Sequence, residues 1–293
     1  MSAGSSPALL IHFPAGTSAA TRDRLVAALA DHDLVAIQED QISAPALWTA
    51  HFGSDGARRA AAAAIAESAA ADGLRIEPVE VEDDDWARRT QADLPAIRVG
   101  RLIVAPPWDM PSPDLTSAPA GSSAPIVIEI EPSRGFGTGH HQSTRLCLVL
   151  LQSRTLASQT VIDIGTGSGV LAIAAAKLGA AFVSAIDVDP DAIENARENI
   201  SRNGVEKIVE AHVRDLTDAA LSPADVVIAN LTGTLLARHA DALAALVRRG
   251  GSLIVAGFTM DEKPLVLEAF ESAFSVVESA EEDDWWALVL TKT

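Results

Sequence analysis

The chain has 293 residues, 48% of them apolar and 21% charged, a globular composition with room for two domains. Acidic side chains number 40 against 22 basic ones, a formal charge of -18 that excludes nucleic-acid binding by bulk electrostatics and favours a basic partner. A single cysteine, Cys147, excludes an intrachain disulfide and points to a reducing, cytoplasmic compartment. The N-terminus MSAGSSPALLIHF lacks a signal-peptide pattern. The most apolar stretch, residues 161–188, is broken by Asp163, Lys177 and Asp187, so no membrane span is expected.

In chain order, Ala8–Phe13 predicts a strand and Thr17–Asp31 a helix, with Leu25 and Leu29 at helical spacing. Leu34–Gln38 and Ala46–Phe52 predict two strands, Arg58–Ala71 an alanine-rich helix ended near Gly73, and Leu74–Val81 a fourth strand. That order is the split pattern of a ferredoxin-like α+β domain, assigned to residues 1–82. Residues 83–125 read as a linker and connecting segment: prolines and serines crowd residues 106–125, and Arg101–Ala105 is an extended piece outside any core.

From 126 to 293, strands and helices alternate. Strands are predicted at Ile126–Ile130, Thr160–Ile164, Phe182–Asp187, Ile208–Val213, Ala224–Ala229 and Ser252–Gly257. Helices are predicted at Ser143–Gln152, after the glycine turn through Leu178, and at Pro190–Asn203, Leu235–Val247 and Lys263–Ala273. Val276–Ala280 and Trp286–Thr291 form a closing antiparallel pair. The expected fold class is α/β, a Rossmann-like, mainly parallel sheet behind the small front domain.

The central motif is the strand Val161–Ile164 running into Gly165-Thr-Gly167-Ser-Gly169 and then a helix. Such a turn lets backbone N–H groups approach a ligand closely. The next strand ends at Asp187, where a carboxylate can accept both hydroxyls of a ribose. The third glycine stands one position too early for the dinucleotide fingerprint, which removes the case for a pyrophosphate. S-adenosylmethionine carries no phosphate, and Asp163 can take its amino group directly or through water. Asp215, after a later strand, is either an acceptor for the adenine amino group or an exposed loop acid.

The strand Ala224–Ala229 ends in Asn230-Leu231-Thr232-Gly233. The Asn230 amide oxygen and the Leu231 carbonyl can accept hydrogen bonds from an amine and aim its lone pair at a methyl group; alternatively Asn230 caps the next helix. Upstream, Gly135, Gly137 and Gly139 form a loop able to fold over a ligand, with Thr138 and Ser143 as candidate cofactor contacts. The adjacent His140 and His141 diverge and have no third ligand nearby, so no metal is expected. Cys147 reads as a small core residue.

Phe136–Thr144, Ile162–Ala175, Ile186–Pro190 and Ala229–Gly233 together resemble the PrmA-type ribosomal protein methyltransferases, which methylate large-subunit ribosomal protein eleven. The resemblance implies cofactor contacts at Ser143, Gly165, Asp187 and Asn230; Gly167 belongs to the same turn. It implies methylation of lysine and N-terminal amines, with S-adenosylmethionine as cofactor. His140, Gln142 and Thr232-Gly233 depart from the family pattern and bear on the substrate. The implied partner is a basic ribosomal protein free of the ribosome, met by a monomer that binds neither nucleic acid nor membrane. Two alternatives stand beside this: the same chemistry on the electron-transfer flavoprotein β subunit, and a nicotinamide-dependent oxidoreductase. No tyrosine is present, and orientation by Asn230 is the expected basis of catalysis.

Overall fold

The computed structural model describes residues 5–14, 16–17, 21–22, 25, 29, 32, 34–39, 47–67, 73–82, 94–112, 124–132, 139–218 and 221–293. It divides into two compact units, Met1–Ala92 and Asp93–Thr293.

The first unit is an antiparallel sheet of β1 (Ser5–His12), β2 (Leu34–Glu39), β3 (Leu47–Phe52) and β4 (Arg75–Glu82), in the order β2-β3-β1-β4. Leu9 and Ile11 alternate with more exposed residues and meet Trp48 and Phe52 of the neighbouring strand in one core. Helix α1 (Asp55–Glu67) adds Ala61 and Ile65, four residues apart on one face. Leu25 and Leu29, in the segment predicted as a helix, are helical and fully buried in the same core. The sheet order agrees with the split pattern read from the sequence.

The second unit begins with a short sheet, β5 (Ile97–Val99), β6 (Leu102–Ala105) and β7 (Ile126–Glu129), in which β6 and β7 run parallel. This corrects the reading of residues 101–105 as lying outside a core. Leu102 and Val104 are buried in the cluster that also holds Ile128, Leu148 and Leu171. Four consecutive apolar residues, Leu102–Ala105, are too costly to leave in water once β7 offers them a ladder.

Next come α2 (Gln142–Gln152), β8 (Thr160–Ile164), α3 (Val170–Lys177), β9 (Phe182–Asp187), α4 (Pro190–Arg202), β10 (Val209–Val213) and β11 (Ala224–Asn230). They are followed by α5 (Gly233–Arg238), α6 (Ala240–Leu246), β12 (Val247–Thr259), α7 (Lys263–Phe270), β13 (Phe274–Glu282) and β14 (Trp285–Lys292). The sheet order is β10-β9-β8-β11-β12-β14-β13; the first five strands are parallel and the last pair antiparallel. The predicted helix at 235–247 is instead two helices, because the backbone leaves helical geometry at His239, with φ -107° and ψ 17°. Both faces of the parallel strands are covered, so β8 is buried from Val161 to Ile164 with Asp163 among its apolar residues, and β11 carries a buried apolar run from Val226 to Ala229. The chain leaves β8 toward β9 on one side, while β11 pairs on its other side. Such a reversal opens a crevice at the carboxyl ends of the strands, where ligands bind. No helix of the described residues is long and apolar enough to cross a membrane.

The free edge of β7 is closed by side chains rather than by another strand. Asn203 accepts from the Glu129 N–H at 3.0 Å and donates to the Glu129 carbonyl at 2.7 Å. Asn199, fully buried, accepts from the Glu131 N–H at 2.9 Å and donates to the Ser168 carbonyl at 3.0 Å. These amides stitch the chain entering the His140–His141 loop onto α4 and onto the glycine turn. Asn199→Ala strips a part-buried donor, the Glu131 N–H, and a buried acceptor, the Ser168 carbonyl, of their partner and is expected to cost about 2–3 kcal/mol. Urea unfolding checks this; a loss below about 1 kcal/mol would show that water replaces the amide freely.

Candidate functional site

The site grows from the end of β8. Gly165 has φ +67°, and a Cβ there would stand 2.8 Å from Leu231 Cδ2. Only glycine fits this turn and lets the β11 end approach it. Although β8 is buried, Gly165 is exposed, so the turn opens to solvent at the crevice. The Thr166 N–H donates to the Ile186 carbonyl at 3.0 Å, and the Gly167 N–H to Asp187 Oδ2 at 3.0 Å. Asp187 Oδ1 accepts from the Asp189 N–H at 3.1 Å. Each carboxylate oxygen is thus held by one backbone donor and keeps acceptor capacity for a ligand.

Asp163 lies beneath the turn, 1% exposed. Its Oδ2 accepts from the Thr166 hydroxyl at 2.6 Å and the Ala172 N–H at 3.1 Å, which ties the turn to the first residues of α3. Its Oδ1 is buried without a hydrogen-bond partner. Burial pushes the Asp163 carboxyl up to about 7, against those two hydrogen bonds and with a small contribution from the Asp187 charge. Cys147 is 1% exposed in the core, and burial together with the Asp163 charge pushes its thiol up.

On the other side of the crevice, Asn230 Nδ2 lies 3.3 Å from Thr144 Oγ1. The next helix, α5, is capped by Thr232, whose hydroxyl accepts from the Leu235 N–H at 3.4 Å. Asn230 is therefore not the cap. The Leu231 N–H donates to the Ala256 carbonyl at 3.0 Å, which fixes the strand end against β12. Gly257 follows with φ +92°; a Cβ there would stand 2.6 Å from the Leu231 carbonyl oxygen and 2.9 Å from Asn230 Oδ1. Both acceptors expected to face an amine thus lie close together beside Gly257, where a side chain would collide with them.

The turn residues Gly165 and Gly167, Asp187, Asn230 and Leu231 are thus brought to one edge. Ser143 is buried at the start of α2, with its hydroxyl 2.7 Å from His141 Nδ1. His141 caps α2 by accepting from the Ser143 N–H at 3.3 Å, and burial, then the charge of Arg145, lowers its pKa. Asp215 is exposed on the loop after β10; its hydrogen bonds from the Thr217 side chain and N–H lower its pKa. Thr138 lies outside the described residues. Among those described, no group of three His, Cys, Asp or Glu residues is placed to hold a metal. Sequence reasoning missed Gly257, the contact of Thr144 with Asn230, and the amides of Asn199 and Asn203. The spacing of Asn195, Asn199 and Asn203, every fourth residue on one helix face, was the available signal.

The sequence model of the family described as ribosomal protein L11 methyltransferase (PrmA) matches residues 7–293. The chain belongs to this family. Among its relatives, the ribosomal protein L11 methyltransferase of Symbiobacterium thermophilum is 38% identical over 72% of this chain and 66% of that protein. The enzyme of Cupriavidus pinatubonensis is 39% identical over 77% of this chain and 74% of that protein. The crystal structure of ribosomal protein L11 methylase from Lactobacillus delbrueckii subsp. bulgaricus superposes with a TM-score of 0.61 at 27% identity, over 68% of this chain and 99% of that one.

As a member of the L11 methyltransferase family, the chain is an S-adenosylmethionine-dependent methyltransferase with a Rossmann-like core. The residues present fit that cofactor. The turn at Gly165 is open and free of side chains, the Gly167 N–H anchors Asp187, and both Asp187 oxygens retain acceptor capacity for ribose hydroxyls.

The buried Asp163 gives the site a pH signature. Its folded value, about 7, lies above the unfolded value of about 3.9, so folding takes up a proton between them. Stability from this group is complete below about pH 4, falls as pH rises to about 7, and is level above. Asp163→Asn has no charge to bury. Its thermal stability relative to the parent is expected to rise between about pH 4 and 7 and to stay level above; parallel profiles would contradict a raised Asp163.

Proposed function

We propose that this methyltransferase modifies amino groups of ribosomal protein L11, lysine side chains and the N-terminal amine, acting as a monomer on the protein before it joins the ribosome. The observation that carries this reading is that Asn230 Oδ1 and Leu231 O lie together beside Gly257, at 2.9 Å and 2.6 Å from the position its missing Cβ would take. Two acceptors suit a nitrogen that brings two N–H donors and a lone pair. The L11 relatives support the substrate, and the charge of -18 supports a basic partner met free of RNA.

In this reading Gly165, Gly167 and Asp187 hold the cofactor, with Ser143, Thr138 and Asp215 as further contacts and Asp163 Oδ1 as an acceptor for its amino group. When bound, S-adenosylmethionine supplies an electrophilic methyl group. Asn230 and Leu231 accept the two N–H bonds of the neutral amine and point its lone pair into the crevice. Most of the work is alignment. A lysine amine, with a pKa of about 10.4, loses its proton to solvent before it docks.

Incubation of L11 with labelled S-adenosylmethionine, followed by peptide mass mapping, tests the reading. Label on lysine and N-terminal amines is expected; label on carboxyl or amide side chains would overturn it. Asn230→Ala is expected to lower kcat about 100-fold, the scale of losing one preorganised hydrogen-bonding group at a reaction centre. Unchanged turnover would remove Asn230 from the chemistry.

A further inference from the structure

An asparagine amide has two ends, and only one suits an incoming amine. With Oδ1 forward it accepts an N–H; turned over, its own NH2 faces that N–H and neither can bond. We infer that Thr144, with Gly257 behind, fixes which end of the Asn230 amide meets the substrate. This inference rests on the reading that Asn230 and Leu231 receive the amine.

Thr144 is 3% exposed on the first turn of α2, with its Oγ1 3.3 Å from Asn230 Nδ2. Its place is held from several directions. His141 caps α2, and Arg145 Nε lies 3.0 Å from both Glu282 carboxylate oxygens while its guanidinium also reaches the His140 carbonyl. The amide oxygen, in turn, lies against the backbone of Gly257, where a Cβ would stand 2.9 Å from it. A Cα–H beside an amide oxygen is a weak favourable contact, whereas a Cα–H beside an NH2 gains nothing. Thr144 thus holds the nitrogen from one side, and Gly257 accommodates the oxygen on the other. The Leu231 carbonyl, 2.6 Å from the same Cβ position, depends on the same missing side chain. Thr144 and Gly257 are positioning residues that act through Asn230.

The test compares Thr144→Val, which keeps the shape and loses the acceptor, with Thr144→Ser, which keeps the hydroxyl. Methyl transfer to L11 amines is measured for both, alone and with Asn230→Ala. Thr144→Val is expected to lower kcat about tenfold, the kinetic equivalent of one ordinary hydrogen bond, and Thr144→Ser to restore it to within about twofold. Affinity for S-adenosylhomocysteine, which reports an intact fold, is expected to be unchanged in both. In the Asn230→Ala background Thr144→Val should add no further loss, because no amide remains to orient. Equal losses in Val and Ser, full activity in Val, or an added loss in the Asn230→Ala background would overturn the inference while the proposed function stands. A parent enzyme that labels no amine would overturn the function, and the inference with it.

Discussion

The left-handed turn at Gly165 is the constraint from which the rest of the site follows. Its φ of +67° is one that L side chains rarely adopt, and the Leu231 side chain packs into the space a Cβ at 165 would need, where β8 ends beside its ladder partner β11. The same turn sends the Thr166 N–H to Ile186 and the Gly167 N–H to Asp187, which joins the end of β9. One turn thereby ties the end of β8 to the end of β9 and seats Leu231, just after β11, against it. Asp163 underwrites it from below at the cost of burying a carboxyl, and that cost appears in its raised pKa.

The two sides of the crevice divide the work. On the β9 side, the Gly167 and Asp189 N–H groups hold the Asp187 carboxylate at the crevice edge. On the β11 side, Asn230 and Leu231 offer neutral acceptors with no titratable group hydrogen-bonded to either among the described contacts. That division suits a reaction governed by approach and alignment rather than by proton transfer. Around it, the Asn199 and Asn203 amides and the Arg145–Glu282 pair fasten the ends of the segment that contains His140 and His141.

Much of this was legible in the sequence, because the signals were local. The strands Thr160–Ile164 and Phe182–Asp187 fall where the apolar runs place them, and the glycine turn and Asp187 follow directly. The closing pair of strands runs longer than its apolar core because the β13–β14 ladder extends into acidic residues at Glu281 and Glu282. What was misread depends on partners distant in the chain. Leu102–Ala105 looked like connector because its ladder partner, β7, lies beyond a proline-rich stretch. The contact of Thr144 with Asn230 could not be read in advance, because nothing in the sequence shows that residue 230 will stand beside it. Gly257 was invisible for the same reason: a glycine ending a strand carries no mark of the two oxygens it makes room for.

The proposed function depends most on the glycine turn and Asp187 forming a nucleoside cradle. Calorimetric titration of S-adenosylhomocysteine into the parent chain and into Asp187→Ala tests it most directly. Loss of two charge-assisted hydrogen bonds predicts saturable binding to the parent and affinity weakened by about 100-fold or more in the variant. Equal affinity in the two proteins, or binding of NAD by the parent in place of S-adenosylhomocysteine, would contradict it.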